Sequence, residues 1–323
     1  MQSNVTTVIP VYNGEKFLRP TLESIAKQSK RPDRLVLLDN CSTDGTEKII
    51  REFTGMKCEY IRNERNLGLF GNMNRALEFA EQTRYLHIIP ADDLITPKFF
   101  DRLLPALETC RGFGLAFCLD ERIDENGEHL SLSGSATNTA EEIPQAIYLQ
   151  HKGEIANQAL GGTIYKTNFQ KSPVQFRMDM PILADVVFYA EFGARCERIV
   201  RINEPLTQYR WHGTNQSCEL MPGIQPLVLD EWKTMQLVEK LRGNGTGFVR
   251  ACKLKGLFGV RSGIKARRIR QLGNKKYSRE IVAAGRQISG LPLWFAAQCV
   301  VHARELLVYG IMRRRRQPNN VFG

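Results

Sequence analysis

The sequence predicts an α/β fold: a parallel sheet with helices on its faces, then a basic, mainly helical extension. Short β-branched runs alternate with helically spaced stretches through roughly the first hundred residues. One of them, "DRLVLLD", is a continuous apolar run instead of an alternating one, as a strand buried on both faces should be. The strand pattern gives way to long basic and apolar helical stretches near the C-terminal end.

"VTTVIPVYN" is β-branched and breaks at Asn13-Gly14, which reads as a first strand and its turn. "EKFLRPTLESIAKQS" follows with apolar residues at Phe17, Leu18, Leu22, Ile25 and Ala26, a helical spacing. "DRLVLLD" is a continuous apolar strand, and "STDGTEKIIREFT" opens with residues suited to capping a helix. "CEYIRN" is a short strand, "GLFGNMNRALEFAEQT" a helix and "YLHIIP" a strand, with a further helix around Pro97 to Leu107. A β-α-β-α-β-α-β order argues for right-handed crossovers and a parallel sheet. Ligands of such sheets bind beyond the carboxyl ends of the strands. Tyr12-Asn13, the Asp39 to Asp44 stretch and Asp92-Asp93 all lie at those ends.

The chain has 323 residues and a formal charge of +11, unevenly spread. From Arg250 onward 17 Lys and Arg face 2 Asp and Glu, a balance of +15, and the preceding residues carry −4. Basicity thus belongs to the tail, where it suits anionic lipid, nucleic acid or plain solvation. The most basic stretch, 261–276, contains no aromatic residue, which argues against nucleic-acid binding. Eight cysteines include no Cys-x-x-Cys pair, so a structural zinc site is not expected. The start "MQSNVTTVIPVYN" lacks a basic and then apolar leader, so no signal peptide and a reducing cytoplasm are expected.

Asp92-Asp93 carries the most chemical information. Two adjacent carboxylates at a strand mouth repel each other and resist burial. A divalent cation with substrate phosphates makes them favourable, and Mg²⁺ or Mn²⁺ fits one or two carboxylates. A loop pair whose second member caps the next helix is the simpler reading of the pair alone.

Four ordered segments carry a resemblance: "VIPVYNGEKFLRPTLESIAKQS", "LVLLDNCSTDGT", "NERNLGLFGNMNRAL" and "PADDLITP". In order and spacing they resemble the family 2 glycosyltransferases of the GT-A fold over about residues 5–100, with weaker matches to about 217. The resemblance implies a GT-A type nucleotide-binding sheet in a domain 1–217, with a nucleotide half to about 110 and an acceptor half at 111–217. The basic helical region is then 218–323.

The resemblance also implies residue roles. Pro10 and Tyr12 line the nucleotide pocket, where the Tyr12 ring sits beside a base or, alternatively, packs on a helix. Asp39 accepts a hydrogen bond from the base, as only an acceptor can from an N–H. Arg65, Asn66 and Gly68 let chain approach the nucleotide, or serve helix entry. Asp92 holds the ribose hydroxyls, and Asp93 coordinates the metal. Many members read Asp-x-Asp-Asp, and this chain has Pro90-Ala91-Asp92-Asp93, without the first acid.

"LGGTIYKTNF" resembles a strand bordering the acceptor site, with Gly161 and Gly162 allowing close approach. "FRMDMPILADVVFYAEFG" resembles the segment that carries the catalytic base, placing Asp185 at that position; Ala184 stands where the family has Glu. A carboxylate in reach of an acceptor hydroxyl takes its proton as attack proceeds, and apolar neighbours raise its pKa toward a useful value. An N-cap role is the alternative for Asp185. "YRWHGTNQS" resembles the family motif in which His212 ligates the metal or touches the diphosphate and Arg210 offsets phosphate charge. The implied reaction is single displacement with inversion, from a nucleoside-diphosphate sugar, UDP-sugar favoured, to a glycan or lipid-linked glycan hydroxyl.

In the tail, "PLVLDEWKTMQLVEKLR" reads as an amphipathic helix. "LPLWFAAQCVVHARELLVYGIMRRRR" is apolar, but His302, Arg304 and Glu305 near its middle argue against a spanning helix. An interfacial helix with Arg313 to Arg316 on anionic headgroups fits, as does an ordinary helical subdomain. The expectation is a cytoplasmic-face, peripheral enzyme of polysaccharide biosynthesis; the alternative is a non-catalytic nucleotide-sugar or polyanion binder.

Overall fold

The apolar runs form strands whose alternate side chains enter two different cores. In the computed structural model these are β1 (Ser3–Val11), β2 (Arg34–Asp39), β3 (Cys58–Arg62) and β4 (Thr83–Ile88). Ile9, Leu35 and Leu37 pack with Leu18, Leu22 and Ile25 of helix α1 (Leu18–Ala26) on one face. Val8, Val36, Leu38, Leu86 and Ile88 pack with Met73, Ala76 and Leu77 of helix α3 (Leu69–Leu77) on the other. Helix α2 (Thr46–Glu52) buries Ile50. The structure describes residues 3–153, 158–180, 182–213, 225–243 and 247–315, the last twelve as backbone only.

The chain divides into two units, Met1–Glu219 and Leu220–Gly323. In the first, strands β5 (Leu94–Ile95), β6 (Gly114–Ile123), β7 (His129–Leu132), β8 (Ala140–Glu142), β9 (Thr163–Lys166) and β10 (Arg198–Arg210) extend the sheet. Its order is β3-β2-β1-β4-β9-β6-β10-β5, with β7 on β6 and β8 on β10. Strands β1 to β4 are parallel, as expected. The order reverses beside β1, which makes the carboxyl ends of β1, β2 and β4 the natural ligand crevice. Strand β9 enters antiparallel between β4 and β6, which the sequence did not announce. A four-residue strand buried at every position reads the same in either direction.

Two expected helices are shorter than their patterns. Helix α3 stops at Leu77 and continues as a 3₁₀ turn, Glu78–Gln82. Helix α4 (Phe99–Leu103) ends before Pro105, whose ring and missing N–H cannot continue it. Helices α5 (Gln145–Gly153) and α6 (Ala184–Gly193) complete this unit. They pack closely, because a Cβ on Gly193 would lie 2.4 Å from the Tyr148 ring.

The second unit holds α7 (Gln225–Leu241), α8 (Phe248–Gln271), α9 (Lys275–Ser289) and α10 (Leu291–Arg315). Val228, Met235, Phe258, Ala266 and Ile281 form its core, and the Trp232 ring lies 5.3 Å from that of Phe258. Gly259 and Gly263, one turn apart on α8, admit Ala297 and Gln298 of α10. Among the described residues no helix is long and apolar enough to cross a membrane.

Candidate active site

The acid pair sits where two strands of different origin meet. Strand β10 pairs antiparallel with β5, Gln208 opposite Leu94 and Thr207 opposite Ile95. Continuing that register brings Arg210 opposite Asp92. The Arg210 N–H donates to Asp93 Oδ1 at 3.0 Å, and its guanidinium Nε donates to the Asp92 carbonyl at 3.0 Å. Nη1 donates to the carbonyls of Asp124 and Glu125, in the turn between β6 and β7. Below the pair, the Thr21 hydroxyl of α1 lies 2.9 Å from the carbonyls of Ala91 and Asp93.

Asp93 is 1% exposed, and burial first, then the Asp92 charge, holds its carboxyl well above the usual carboxylate range. The Arg210 N–H opposes that shift, and Asp120 on β6 adds to it. The carboxylate therefore carries an electrostatic cost that a cation would relieve. His212 Nε2 lies 3.0 Å from Asp92 Oδ2, with its ring 4.7 Å from that of Phe17. Phe17 also stands under the Arg210 guanidinium, 5.1 Å away.

These donors fit a hard divalent ion shared with a diphosphate. Asp93 would offer such an ion a hard oxygen and His212 an imidazole nitrogen. Among the described residues no group of three or more His, Cys, Asp or Glu side chains is placed to hold a metal ion. An ion here would take its remaining ligands from substrate and water.

The segment Leu160–Gly162 crosses directly over Asp93. A Cβ on Gly161 would stand 3.6 Å from Asp93 Cβ and 3.0 Å from Ile89, and one on Gly162 would stand 2.7 Å from Thr207. Only glycine lets the backbone pass this close. From below, His87 Nε2 donates to the Gly161 carbonyl at 2.9 Å.

The other lobe of the crevice is laced together by its own loops. Asn13, at positive φ, accepts the Thr43 N–H at 2.9 Å, and its N–H donates to Ser42 Oγ. Gly14 N–H donates to Thr46 Oγ1, and Glu15 N–H to Asp44. Tyr12, 44% exposed, projects from the end of β1, while Pro10 is buried in that strand.

Asp39 is fully buried and accepts four hydrogen bonds. Ser42 supplies N–H and hydroxyl to Oδ1; Tyr60 OH, at 2.8 Å, and Arg62 Nη1, at 2.5 Å, reach Oδ2. A base N–H would join or displace one of these. Sequence reasoning missed Tyr60 and Arg62. The signal was the period of two in "CEYIRN", which puts both on one face of β3 with Arg62 opposite Asp39.

Asn40, Asn63 and Asn72 form a second buried network, also missed. Asn63 Nδ2 donates to Asn40 Oδ1 and Asn72 Oδ1 at 2.9 Å each, and Arg75 donates to Asn63. Asn40 Nδ2 donates to Asn66 Oδ1 at 2.7 Å, which ties the Arg65–Gly68 loop to the end of β2. Gly68, at φ 74°, precedes α3, a backbone turn that favours glycine. Arg65 is exposed on that loop.

Asp185 lies in the first turn of α6, where its Oδ1 accepts the Val186 N–H at 2.8 Å. It is partly buried, and burial raises its carboxyl pKa. The structure thus gathers Asp92, Asp93, Arg210 and His212 at one point. It sets Tyr12 and Asp39 on the neighbouring strand ends and Asp185 on a separate helix. The 160–163 segment links them: Gly161 covers Asp93, and Thr163 Oγ1 accepts from Tyr189 OH, one turn after Asp185.

The sequence model described as Glycosyl transferase family 2 matches residues 6–147. An uncharacterized glycosyltransferase of Methanocaldococcus jannaschii is 32% identical over 151 residues, 46% of this chain and 52% of that one. The minor teichoic acid biosynthesis protein GgaA of Bacillus subtilis is 24% identical over 63% of this chain and 46% of its own. This chain spans about half the length of these curated relatives. The crystal structure of S. aureus TarS 1–349 in complex with UDP-GlcNAc superimposes with a TM-score of 0.60 at 17% identity, covering 88% of this chain and 92% of that one.

Proposed function

We propose that the chain, whose residues 6–147 match the family 2 glycosyltransferase model, transfers a sugar from a UDP-sugar to a hydroxyl of a glycan or lipid-linked glycan, with inversion, in polysaccharide biosynthesis. The observation that carries this reading is the Asp92–Asp93–Arg210–His212 constellation at the reversal point of the sheet. A fully buried carboxylate, Asp93, beside the partly exposed Asp92 is a poor structural feature and a good cation seat. The TarS structure with UDP-GlcNAc and the teichoic acid role in the name of GgaA support the donor and pathway classes.

The reaction divides among the chain's own residues. Tyr12 offers an exposed ring to the base, and Pro10 shapes the strand end beneath it. Asp39, held by Tyr60 and Arg62, accepts the base N–H. The Arg65–Asn66–Gly68 loop closes the nucleotide side. Asp92 meets the ribose hydroxyls, and Arg210 contributes positive charge beside the diphosphate. Asp93 and His212 would hold Mn²⁺ or Mg²⁺, which when bound would supply charge compensation for the departing nucleoside diphosphate. Asp185 takes the proton of the acceptor hydroxyl as it attacks the anomeric carbon, and its dehydration brings its basicity toward neutral pH.

The C-terminal unit docks on an anionic membrane surface at the inner face of the cytoplasmic membrane. Helix α10 supports this reading: Leu291, Phe295 and Val300 are each more than half exposed, and Cys299 lies exposed among them. Trp294, Ala297 and Val301 fill the opposite, buried face. A helix apolar on both faces, within a region of net +15 charge, matches a surface both oily and negative.

The test is UDP release from a panel of UDP-sugars with Mn²⁺, with a lipid-linked sugar diphosphate as acceptor. One donor should be turned over by the native chain, and Asp185→Asn should bind that donor and fail to release UDP. Binding without turnover in the native chain would favour the non-catalytic reading.

A further inference from the structure

Phe17 is an aromatic ring set among basic side chains. It stands at the N-cap of α1, half-buried, beside Leu18, which is fully buried and anchors that helix in the core. The Phe17 ring lies 4.7 Å from that of His212, tilted by 36°, and the Arg210 guanidinium carbon lies over it, 5.1 Å from its centroid. Lys16 Nζ is 4.9 Å from the same centroid. A ring needed for packing alone would join Leu18 in the core. This one meets the two side chains that the end of β10 brings to the acid pair.

Those two side chains each need a fixed plane. An imidazole ligand offers its nitrogen along one direction, and rotation about the last bond of a histidine side chain is broad unless the ring is held. His212 meets Asp92 Oδ2 through Nε2 at 3.0 Å, a contact at one corner of its ring. Phe17 packs on the ring as a whole, which limits that rotation. The Arg210 guanidinium spends Nε and Nη1 on the carbonyls of Asp92, Asp124 and Glu125. Those bonds lie in its plane, and an aromatic face within about 6 Å attracts the charge besides. A second link closes the same corner, where Lys16 Nζ donates to Glu125 Oε2 at 2.6 Å. Both of its partners are more than half exposed, so that pair adds little. The Phe17 ring is the better-shielded tie between the start of α1 and the end of β10.

We propose that Phe17 is a positioning residue for the donor seat: its ring holds the His212 imidazole and the Arg210 guanidinium in the planes from which they face the metal and the diphosphate. This deepens the reading of Asp92, Asp93, Arg210 and His212 as that seat and rests on it. Phe17 acts through those two side chains, not on the reacting atoms. A leucine in its place would keep apolar surface at the helix start and lose the flat face. A tyrosine would keep the ring.

Two measurements on the full chain test this. The first is the histidine ¹Hε1–¹³Cε1 NMR spectrum without metal, in which the His212 signal is the one missing from His212→Ala. Phe17→Leu should move and broaden that signal and leave the four other histidines in place, and Phe17→Tyr should return it toward its native position. An unmoved His212 signal overturns the proposal, whether or not the seat binds UDP. The second is calorimetric titration of UDP with Mn²⁺. Phe17→Leu should weaken binding about tenfold, and Phe17→Tyr should restore it. On the His212→Ala background the same leucine substitution should cost about threefold or less, because one of the two held groups is gone. A loss of equal size on both backgrounds overturns the proposal and marks Phe17 as structural. If His212→Ala binds UDP and Mn²⁺ at native strength, the seat reading itself fails, and the proposal with it.

Discussion

Acid should unfold this protein partly through one histidine. His87 lies at the centre of the sheet, fully buried on β4, against Phe99 and Phe100 at ring distances of 4.8 and 5.4 Å. Its Nε2 is 2.9 Å from the Gly161 carbonyl and must carry the hydrogen, which leaves Nδ1 to accept from Thr7 Oγ1 at 3.3 Å. Burial pushes its pKa down from 6.5 to about 4. The folded chain therefore stays unprotonated while the unfolded chain takes up a proton below about pH 6.5. The contribution is fully present above about 6.5 and is lost as pH falls toward 4. Two and a half units correspond to about 3.4 kcal/mol in total, about 2 kcal/mol of it between pH 6.5 and 5. His87→Gln keeps an amide donor for Gly161 and removes the titration. Urea unfolding from pH 7 to 4.5 on both proteins isolates the histidine, because their other carboxylates are common. The native curve should fall more steeply by about 2 kcal/mol between pH 6.5 and 5. Parallel curves would refute the reasoning.

Two further outcomes follow from other parts of the molecule. Asn63→Ala strands the buried Asn72 Oδ1 and leaves Asn40 Oδ1 with the Leu67 N–H alone; it should cost about 1–3 kcal/mol in chemical unfolding and weaken UDP binding through the Arg65–Gly68 loop. In vesicle flotation the chain should follow phosphatidylglycerol vesicles and not phosphatidylcholine ones, and Leu291→Ser with Phe295→Ser should lower that binding about tenfold or more; equal binding to both lipids, or an unaffected variant, would exclude α10 as the contact.

The first four strands and their helices were legible because each apolar run had one explanation. A strand covered on both faces cannot alternate, and β1, β2 and β4 do not. Strand β9 was legible as a segment and not in direction, since burial says nothing about polarity. The acid pair, Arg210 and His212 were named from motifs more than a hundred residues apart; their contact depends on the β10–β5 register, which no local pattern encodes. Tyr60 and Arg62 were within reach of a face argument on β3. The contacts of Phe17 were not, because an apolar residue at helical spacing reads as a core position. The asparagine network was hidden for a related reason: Asn63 and Asn72 sit in loop and helix contexts where asparagine is ordinary.

We propose that Asp92, Asp93, Arg210 and His212 form a metal-assisted diphosphate seat. Isothermal titration of UDP into the native chain and into Asp93→Asn, each with and without Mn²⁺, tests it most directly. Binding should strengthen with Mn²⁺ in the native chain and fall about ten- to a hundredfold in the variant, with unfolding unchanged or shifted to higher temperature as a buried acid is removed. UDP binding indifferent to Mn²⁺ and to the substitution would contradict it.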